Sequence, residues 1–265
     1  MLLAFSLLLS EKILASSCVL TPTEVLMWIG AIICTAAGGY AINDWRDVAT
    51  DSINKPWRPL PAKKMTTAKA KKIAILLFTL AFFCAVFLLQ QLFLWLTCFS
   101  IVLLVAYAFR LKCMPLVGNL SVAGLSAAPF ASFALLCNRV HVGWYELAVF
   151  SFLTHFLREQ IKCLQDIQAD RSTNCHTLPV IIGSVWAHRV AMLTMVVLLA
   201  ACAIMVWIKP HEFMPAWLLL CVLMSIFAWR LQVAQTANDF ALLARLLKWL
   251  MVAGMAVVWW SAAKQ

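Results

Sequence analysis

The sequence predicts an all-α fold, a polytopic membrane bundle of about nine transmembrane helices. Of the 265 residues, 64% are hydrophobic and 12% are charged, and the mean hydropathy is +0.91. A soluble domain typically has about 25% charged residues, so the composition excludes that class. Apolar runs of about 20 residues, the length that crosses a bilayer as a helix, recur along the chain. No soluble-looking block interrupts them, and we therefore expect residues 1–265 to form a single membrane domain.

The predicted spans follow one another along the chain. The first, over residues 1–20, is interrupted by Glu11 and Lys12, and a cleaved signal peptide is its alternative interpretation. We predict a span because the start of the run lacks positive charge and no clear small-x-small cleavage site precedes Glu24. The other eight spans are predicted over residues 24–42, 73–89, 92–109, 117–136, 144–164, 186–208, 214–229 and 242–260.

Basic residues are concentrated on alternate connections between these spans. Seventeen of the 21 Lys and Arg residues follow spans two, four, six and eight or lie at the adjoining helix ends. Cytoplasmic connections are enriched in Lys and Arg, so we expect these connections in the cytoplasm, with the N-terminus inside and the C-terminus outside. This bias and attraction to anionic lipid headgroups account for most of the net charge of +10, which therefore requires no nucleic-acid partner.

Two acidic clusters hold five of the 11 acidic residues. In the first, Asp44, Asp47 and Asp51 are spaced i, i+3 and i+7, which places them on one face of a helix that continues past span two. Asn43 adds an amide oxygen beside them. Carboxylates at membrane helix ends are costly unless they meet a cation or line a polar cavity. The first cluster therefore predicts a metal site at a membrane face.

The second acidic cluster lies at the predicted cytoplasmic end of span six. Asp166 and Asp170 are spaced i and i+4 and supply a carboxylate pair on the same side of the membrane. Arg158 and Lys162 precede them at the same interval of four residues, and the series forms a broad polar stripe along the helix. The second cluster therefore combines carboxylates with fixed positive charge.

Positive charges beside carboxylates are typical of a diphosphate site. Lys55 and Arg58 follow the first cluster as Arg158 and Lys162 precede the second. Magnesium prefers oxygen ligands and is typically shared between a few carboxylates and substrate phosphates. Guanidinium and ammonium groups then meet the remaining phosphate charge. The alternative is a set of solvated, mutually paired charges in loops, but two such clusters on cytoplasmic connections of one bundle favour the diphosphate site.

The ten cysteines and five histidines show no spacing typical of a metal site. No two cysteines form a C-x-x-C pair, so we expect small buried hydrophobic residues. The cysteines that lie well within apolar spans are Cys34, Cys84, Cys98, Cys202 and Cys221. The histidines are expected at helix ends or in the core. Cys163 and Cys175 flank the second acidic cluster and are therefore the two cysteines that lie beside a candidate site.

The two acidic segments resemble the signatures of a known family. Residues 43–51 read N-D-x-x-D-x-x-x-D, and residues 53–59 read I-N-x-P-x-R-P, a pattern similar to the first signature of the UbiA superfamily of intramembrane prenyltransferases. Residues 158–171 resemble its D-x-x-x-D signature, and their R-E-x-x-K lead-in is most similar to the branch that makes digeranylgeranylglyceryl phosphate. Five further residues resemble the family's connection between its fourth and fifth helices, namely Tyr107, Arg110, Lys112, Gly118 and Asn119.

The resemblance implies a central cavity in the bundle, a Mg²⁺ cofactor and a reaction. Mg²⁺ would bind the diphosphate of a polyprenyl diphosphate, whose ionisation gives an allylic cation that an acceptor attacks, with release of pyrophosphate. The implied metal ligands are Asn43, Asp44, Asp47, Asp51, Asp166 and Asp170, and the five aspartates are the implied catalytic residues. The implied substrate contacts are Asn43, Lys55, Arg58, Tyr107, Lys112, Asn119, Arg158 and Lys162.

The resemblance leaves two acceptor classes open. The R-E-x-x-K lead-in favours a glycerol phosphate ether lipid. The branch often carries extra acids and a glycine where this chain has Cys163, Gln165, Gln168 and Ala169, so an aromatic quinone precursor is the alternative acceptor.

Two other function classes compete with an enzyme. A membrane transporter would need ionisable residues near the bilayer midplane, whereas the acids of this chain gather at one face. A non-catalytic lipid-binding member of the same fold is the other alternative, and the intact aspartates argue against it. A prenyltransferase is therefore the favoured class.

Small residues at positions 36–39 and 121–128 form two further patterns. Such stretches let neighbouring membrane helices approach closely. We therefore predict close packing at both, with the lining of a substrate cavity as the alternative.

Overall fold

The structure, a computed structural model, describes residues 20–54, 56–136, 142–208 and 213–263. Helices are the only regular secondary structure within these ranges, which confirms the all-α prediction. A 3₁₀ turn spans Leu111–Cys113. The helices are α1 Pro22–Arg46, α2 Val48–Asn54, α3 Thr67–Phe87, α4 Gln91–Phe109, α5 Val117–Leu136, α6 Val142–Gln165, α7 Ile167–Ser172, α8 Leu178–Ile182, α9 Ser184–Ile208, α10 Met214–Val233 and α11 Ala237–Ala263.

Six helices in the described ranges are long and apolar enough to cross a membrane, namely α1, α3, α4, α9, α10 and most of α11. Helices also occur at two other predicted spans, but α5 offers only a shorter apolar stretch, Val117–Phe133. α6 carries four charged side chains within its 24 residues. The first predicted span, residues 1–20, lies outside the described residues except for Leu20. The predicted count of nine spans is therefore not confirmed.

α1 begins earlier than the apolar pattern predicts, at Pro22. The Thr21 hydroxyl accepts the Glu24 N–H at 3.3 Å, and the Glu24 carboxylate accepts the Thr21 N–H at 2.7 Å. This reciprocal pair satisfies backbone donors that a helix start leaves unpaired, and Pro22 has no N–H to satisfy. At its other end α1 continues to Arg46, so its last turn carries Asn43 and Asp44.

The chain divides into two compact units, of which the first contains residues 1–112 and 132–140. Within it, α1 packs against α3 and α4. A Cβ atom added at Gly38 would lie 2.6 Å from Cε1 of Phe78, and one added at Gly39 would lie 2.7 Å from Cδ2 of Leu104. Only glycine allows this approach without a shift of the neighbouring side chain. Close packing is therefore the role of Gly38 and Gly39, whereas Ala36 is exposed.

Trp28 joins α1 to the C-terminal end of α5 within the first unit. Its indole N–H donates to the Ser132 hydroxyl at 2.9 Å, and its ring packs edge-on against Phe133 with 5.1 Å between centroids. A buried indole N–H needs such an acceptor. The contact holds in place the helix that carries the first acidic cluster.

The second unit contains residues 113–131 and 141–265, and α6 packs within it against α9 and α11. Leu157 and Ile161 of α6 and Met195 of α9 are fully buried. This packing positions the C-terminal end of α6, which leads directly to Asp166. At Gly124 of α5 no described heavy atom lies within 4 Å of an added Cβ, so close packing does not require that glycine.

Candidate functional site

The first acidic cluster lies where α1 ends and α2 begins. α1 ends at Arg46, and Asp47 lies between the helices with φ −90° and ψ 4°. The Asp47 N–H donates to the Asn43 carbonyl at 2.9 Å, and the Asp47 carbonyl accepts the Asp51 N–H at 2.7 Å. Helical hydrogen bonding therefore continues across Asp47, and Asn43, Asp47 and Asp51 follow one another at intervals of one turn. The helical hydrogen bonding is thus continuous, as predicted, and only the backbone angles of Asp47 depart from those of a helix.

Basic side chains bind all three carboxylates of this cluster. Nη1 of Arg58 lies 3.1 Å from Oδ1 of Asp44 and 2.7 Å from Oδ2 of Asp51. Lys112, in the 3₁₀ turn after α4, forms an ion pair with Asp47. The Asp51 side chain is only 8% exposed, and a buried carboxylate stays ionised only when it is paired. Arg58 and Lys112 therefore lie at the first cluster, where they bind carboxylates.

Asn43 presents an amide oxygen in the same cluster. Its Nδ2 donates to Oδ2 of Asp47 at 2.8 Å, whereas Oδ1 is buried and accepts no hydrogen bond from the described residues. Oxygen atoms of this kind are the ligands that Mg²⁺ prefers. Among the described residues, no three His, Cys, Asp or Glu side chains converge on one metal position. The buried Oδ1 of Asn43 and the Asp47 carboxylate beside it are nevertheless oxygen donors of the kind that Mg²⁺ binds together with phosphate oxygens and water.

The second acidic cluster lies where α6 ends and α7 begins. Asp166 lies between the end of α6 at Gln165 and the start of α7 at Ile167, and its carbonyl accepts the Asp170 N–H at 2.9 Å. The Thr177 hydroxyl donates to Oδ2 of Asp170 at 2.8 Å. Thr177 is the N-cap residue of α8 and is buried. Its hydroxyl therefore orients one carboxylate of the second cluster.

A buried glutamate pairs with the basic residues of α6. Nη1 of Arg158 lies 2.8 Å from Oε1 of Glu159, and Nζ of Lys162 lies 3.1 Å from both Glu159 oxygens. Glu159 is 6% exposed. The sequence predicts diphosphate contacts at Arg158 and Lys162 and no role for Glu159. The i, i+3 spacing of Glu159 and Lys162 was the available signal for this pairing.

The other predicted substrate contacts have different surroundings. Asn119 is 5% exposed, and its Nδ2 lies 3.7 Å from Sγ of Cys163, a contact between α5 and α6 within the second unit. Tyr107 is half-buried and lies two residues before the end of α4. Lys55 lies outside the described residues.

A disulfide joins Cys113 and Cys175 within the second unit, with 4.5 Å between their Cα atoms. Cys113 directly follows Lys112, and the Cys175 N–H donates to the Asp170 carbonyl at 2.9 Å. The expectation that the cysteines are small buried hydrophobic residues is wrong for this pair. The two residues are 62 positions apart, and no local pattern connects them.

The model of the UbiA prenyltransferase family matches residues 3–261, which is nearly the whole chain. The chain belongs to the UbiA prenyltransferase family. The resemblance inferred from the two acidic signatures is thereby confirmed. Family membership together with the six membrane-crossing helices identifies a multi-pass integral membrane protein.

Other UbiA proteins resemble this chain in sequence and in fold. A digeranylgeranylglyceryl phosphate synthase from Pyrococcus furiosus is 35% identical over 167 residues, a match that spans 63% of this chain and 59% of that relative. A solved digeranylgeranylglyceryl phosphate synthase structure aligns with a TM-score of 0.77 and 21% identity, over 99% of this chain and 92% of that chain. A UbiA homolog from Archaeoglobus fulgidus bound to DMAPP and Mg²⁺ aligns with a TM-score of 0.67 and 15% identity, over 97% of this chain and 94% of that chain. These structural alignments show that the chain has the UbiA fold.

Proposed function

We propose that this protein is an intramembrane prenyltransferase that transfers a polyprenyl group from a prenyl diphosphate to a glycerol phosphate ether lipid. The observation that carries the proposal is the Asp44, Asp47 and Asp51 cluster, with its carboxylates bound by Arg58 and Lys112. The synthase from Pyrococcus furiosus supports the acceptor class. The Archaeoglobus fulgidus homolog supports a prenyl diphosphate donor and a Mg²⁺ cofactor.

The proposed metal ligands are the oxygens of the two acidic clusters. When bound, Mg²⁺ neutralises negative charge on the leaving diphosphate. The buried Oδ1 of Asn43 supplies a neutral ligand, and Thr177 orients the Asp170 carboxylate. The proposed ligands are Asn43, Asp44, Asp47, Asp51, Asp166 and Asp170.

Basic residues bind the diphosphate in this proposal. The Arg58 and Lys112 side chains are 36% and 25% exposed, so both remain accessible while they pair with carboxylates. Guanidinium and ammonium groups form strong charge-assisted hydrogen bonds with phosphate oxygens. Arg158 and Lys162 have the same proposed role, and Glu159 holds their side chains in position. Lys55, Tyr107 and Asn119 remain proposed substrate contacts.

The proposed reaction breaks the bond between C1 of the prenyl group and the diphosphate oxygen. Both bonding electrons leave with the diphosphate, and an allylic cation remains. A hydroxyl oxygen of the acceptor then attacks this cation and forms an ether bond, and the released diphosphate takes up the hydroxyl proton. The aspartates and basic residues act by holding the diphosphate in the geometry for ionisation.

We also propose that the acidic clusters face the cytoplasm and that residues 1–265 act as a single prenyltransferase domain. The concentration of 17 of the 21 Lys and Arg residues on alternate connections supports the cytoplasmic side. The match of the family model to residues 3–261 supports one domain.

The function is tested by incubating purified protein with Mg²⁺, geranylgeranyl diphosphate and geranylgeranylglyceryl phosphate, followed by mass spectrometry of the lipid extract. We expect a product with two geranylgeranyl groups. Asp44→Ala should reduce kcat at least about 100-fold, because it removes an oxygen ligand at the site of charge development. A parallel incubation contains 4-hydroxybenzoate in place of geranylgeranylglyceryl phosphate. A product formed only in that incubation would assign an aromatic acceptor.

Asp239→Ala is the matched control for this variant. Asp239 lies outside both clusters, and its carboxylate accepts the backbone N–H groups of Gln235 and Thr236 at the start of α11. The control should retain activity. Full activity of Asp44→Ala would contradict the proposed function.

A further inference from the structure

α6 carries a buried amide group that the metal and diphosphate roles do not use. Gln160 is 4% exposed. Neither its Nε2 nor its Oε1 forms a hydrogen bond with any described residue. Buried polar groups are nearly always hydrogen-bonded, because an unpaired one loses its hydration without compensation. Both halves of this amide therefore require a partner from outside the described residues.

Gln160 lies in the interior of the second unit. Leu157, Ile161 and Leu164 of the same helix are between 0% and 3% exposed. Cys163 lies three residues after Gln160, and side chains three residues apart are neighbours on a helix surface. Cys163 also contacts the buried amide of Asn119. Two buried amides, those of Gln160 and Asn119, thus flank Cys163.

The position of Gln160 along α6 separates it from the second acidic cluster. Gln160 precedes Asp166 by six residues, which is about 9 Å along a helix that rises 1.5 Å per residue. Six residues also turn the helix by about 600°, which leaves the two side chains about 120° apart around its axis, so they do not converge on one metal position.

We infer that Gln160 binds the glyceryl part of the acceptor through a hydroxyl or ether oxygen, and that it contributes to acceptor specificity. The inference rests on the proposed function. Oε1 accepts one hydrogen bond and Nε2 donates two, and a glyceryl hydroxyl can both donate to Oε1 and accept from Nε2. A polyprenyl chain offers neither partner. Gln160 is therefore an acceptor-binding residue and does not bind the prenyl donor.

The test compares wild type with Gln160→Leu in steady-state kinetics with geranylgeranyl diphosphate, geranylgeranylglyceryl phosphate and Mg²⁺. We expect the KM for the acceptor to rise at least about tenfold, because an unpaired substrate hydroxyl is poorly tolerated in a buried site. The KM for the diphosphate should stay within about twofold. The thermal midpoint should not fall, because leucine replaces an unpaired amide with an apolar side chain of similar size.

Thr154→Val is the matched control on the same helix. The Thr154 hydroxyl is buried, but it already donates to the carbonyls of Phe150 and Ser151 at 2.7 and 3.2 Å. Its removal should leave the KM for the acceptor unchanged. If Gln160→Leu does not fold, the same kinetics are measured with Gln160→Met, which also lacks the amide group.

An unchanged acceptor KM in active Gln160→Leu protein would overturn this inference and leave the proposed function intact. Equal rises in both KM values with a lower thermal midpoint would show a structural role and would also overturn it. A wild-type protein that forms no prenylated product and releases no pyrophosphate with Mg²⁺ would overturn the proposed function and this inference together.

Discussion

Arg58 and Lys112 allow three carboxylates to lie within about two helical turns where α1 ends and α2 begins. Nη1 of Arg58 contacts both Asp44 and Asp51, which are seven residues apart, while Lys112 neutralises Asp47 between them. Carboxylates three or four residues apart on a helix, such as Asp47 with each of the other two, repel one another. The cluster is therefore stable as a set of ion pairs, and each pair places a basic group beside a carboxylate that the proposed function assigns to Mg²⁺.

Arg58→Met should destabilise the protein by about 1–3 kcal/mol. This figure lies between the values for exposed and buried ion pairs, because Asp51 is buried while Asp44 is largely accessible. Added Mg²⁺ should stabilise the variant more than wild type, because the released carboxylates gain a cation in its place. Unfolding in detergent, followed with and without Mg²⁺, measures both effects.

Arg58→Lys is the control for charge alone. It keeps the positive charge but loses the reach of the guanidinium group, so we expect an intermediate stability. An Arg58→Met variant as stable as wild type in the absence of Mg²⁺ would show that the ion pairs do not support the cluster.

α1 links helix packing to the candidate site. Gly38 lies where α1 meets Phe78 of α3, and Asn43 follows five residues later on the same helix. Because only five residues separate Gly38 from Asn43, a displacement of α1 at its contact with Phe78 also displaces Asn43. The glycine contact and the Trp28 contact therefore both act on the geometry of the first cluster.

Gly38→Ala and Gly124→Ala should change stability in opposite directions. Alanine favours a helix over glycine by about 1 kcal/mol, and at Gly124 an added Cβ meets no described heavy atom within 4 Å. At Gly38 the Cβ would lie 2.6 Å from the Phe78 ring, and overpacking of this kind costs about 1–3 kcal/mol. Thermal unfolding in detergent measures both changes. Equal stabilisation by the two substitutions would contradict the close-packing role of Gly38.

Basic residues across the full sequence predict the orientation in the membrane. Lys64 lies in the connection between α2 and α3, and Gln90 lies between α3 and α4. Both side chains are exposed. Because α3 is long and apolar enough to cross the membrane, the two positions should lie on opposite sides.

Labelling with a membrane-impermeant maleimide tests this orientation in a background without other reactive cysteines. Lys64→Cys should be labelled only in inverted vesicles, whereas Gln90→Cys should be labelled in intact cells. The reverse pattern would place the acidic clusters on the outer side of the membrane.

Local spacing was sufficient for part of the candidate site. Asn43, Asp47 and Asp51 lie at intervals of one turn, and helical hydrogen bonds follow that spacing. Local spacing could not identify the partner of Asp47, because Lys112 lies 65 residues away. It also gave no role to Thr177 or Gln160, whose importance depends on the contacts and burial of each side chain.

The amino-acid sequence was sufficient to identify the all-α membrane fold, the family and the two acidic signatures. Composition, apolar run length and short-range spacing are properties of consecutive residues. The central cavity and the single domain stay predictions. Tertiary packing settled which charges pair, where α1 meets α3, and which amide groups are buried. These features join residues distant in sequence, and their contacts arise only when packing brings separate helices together.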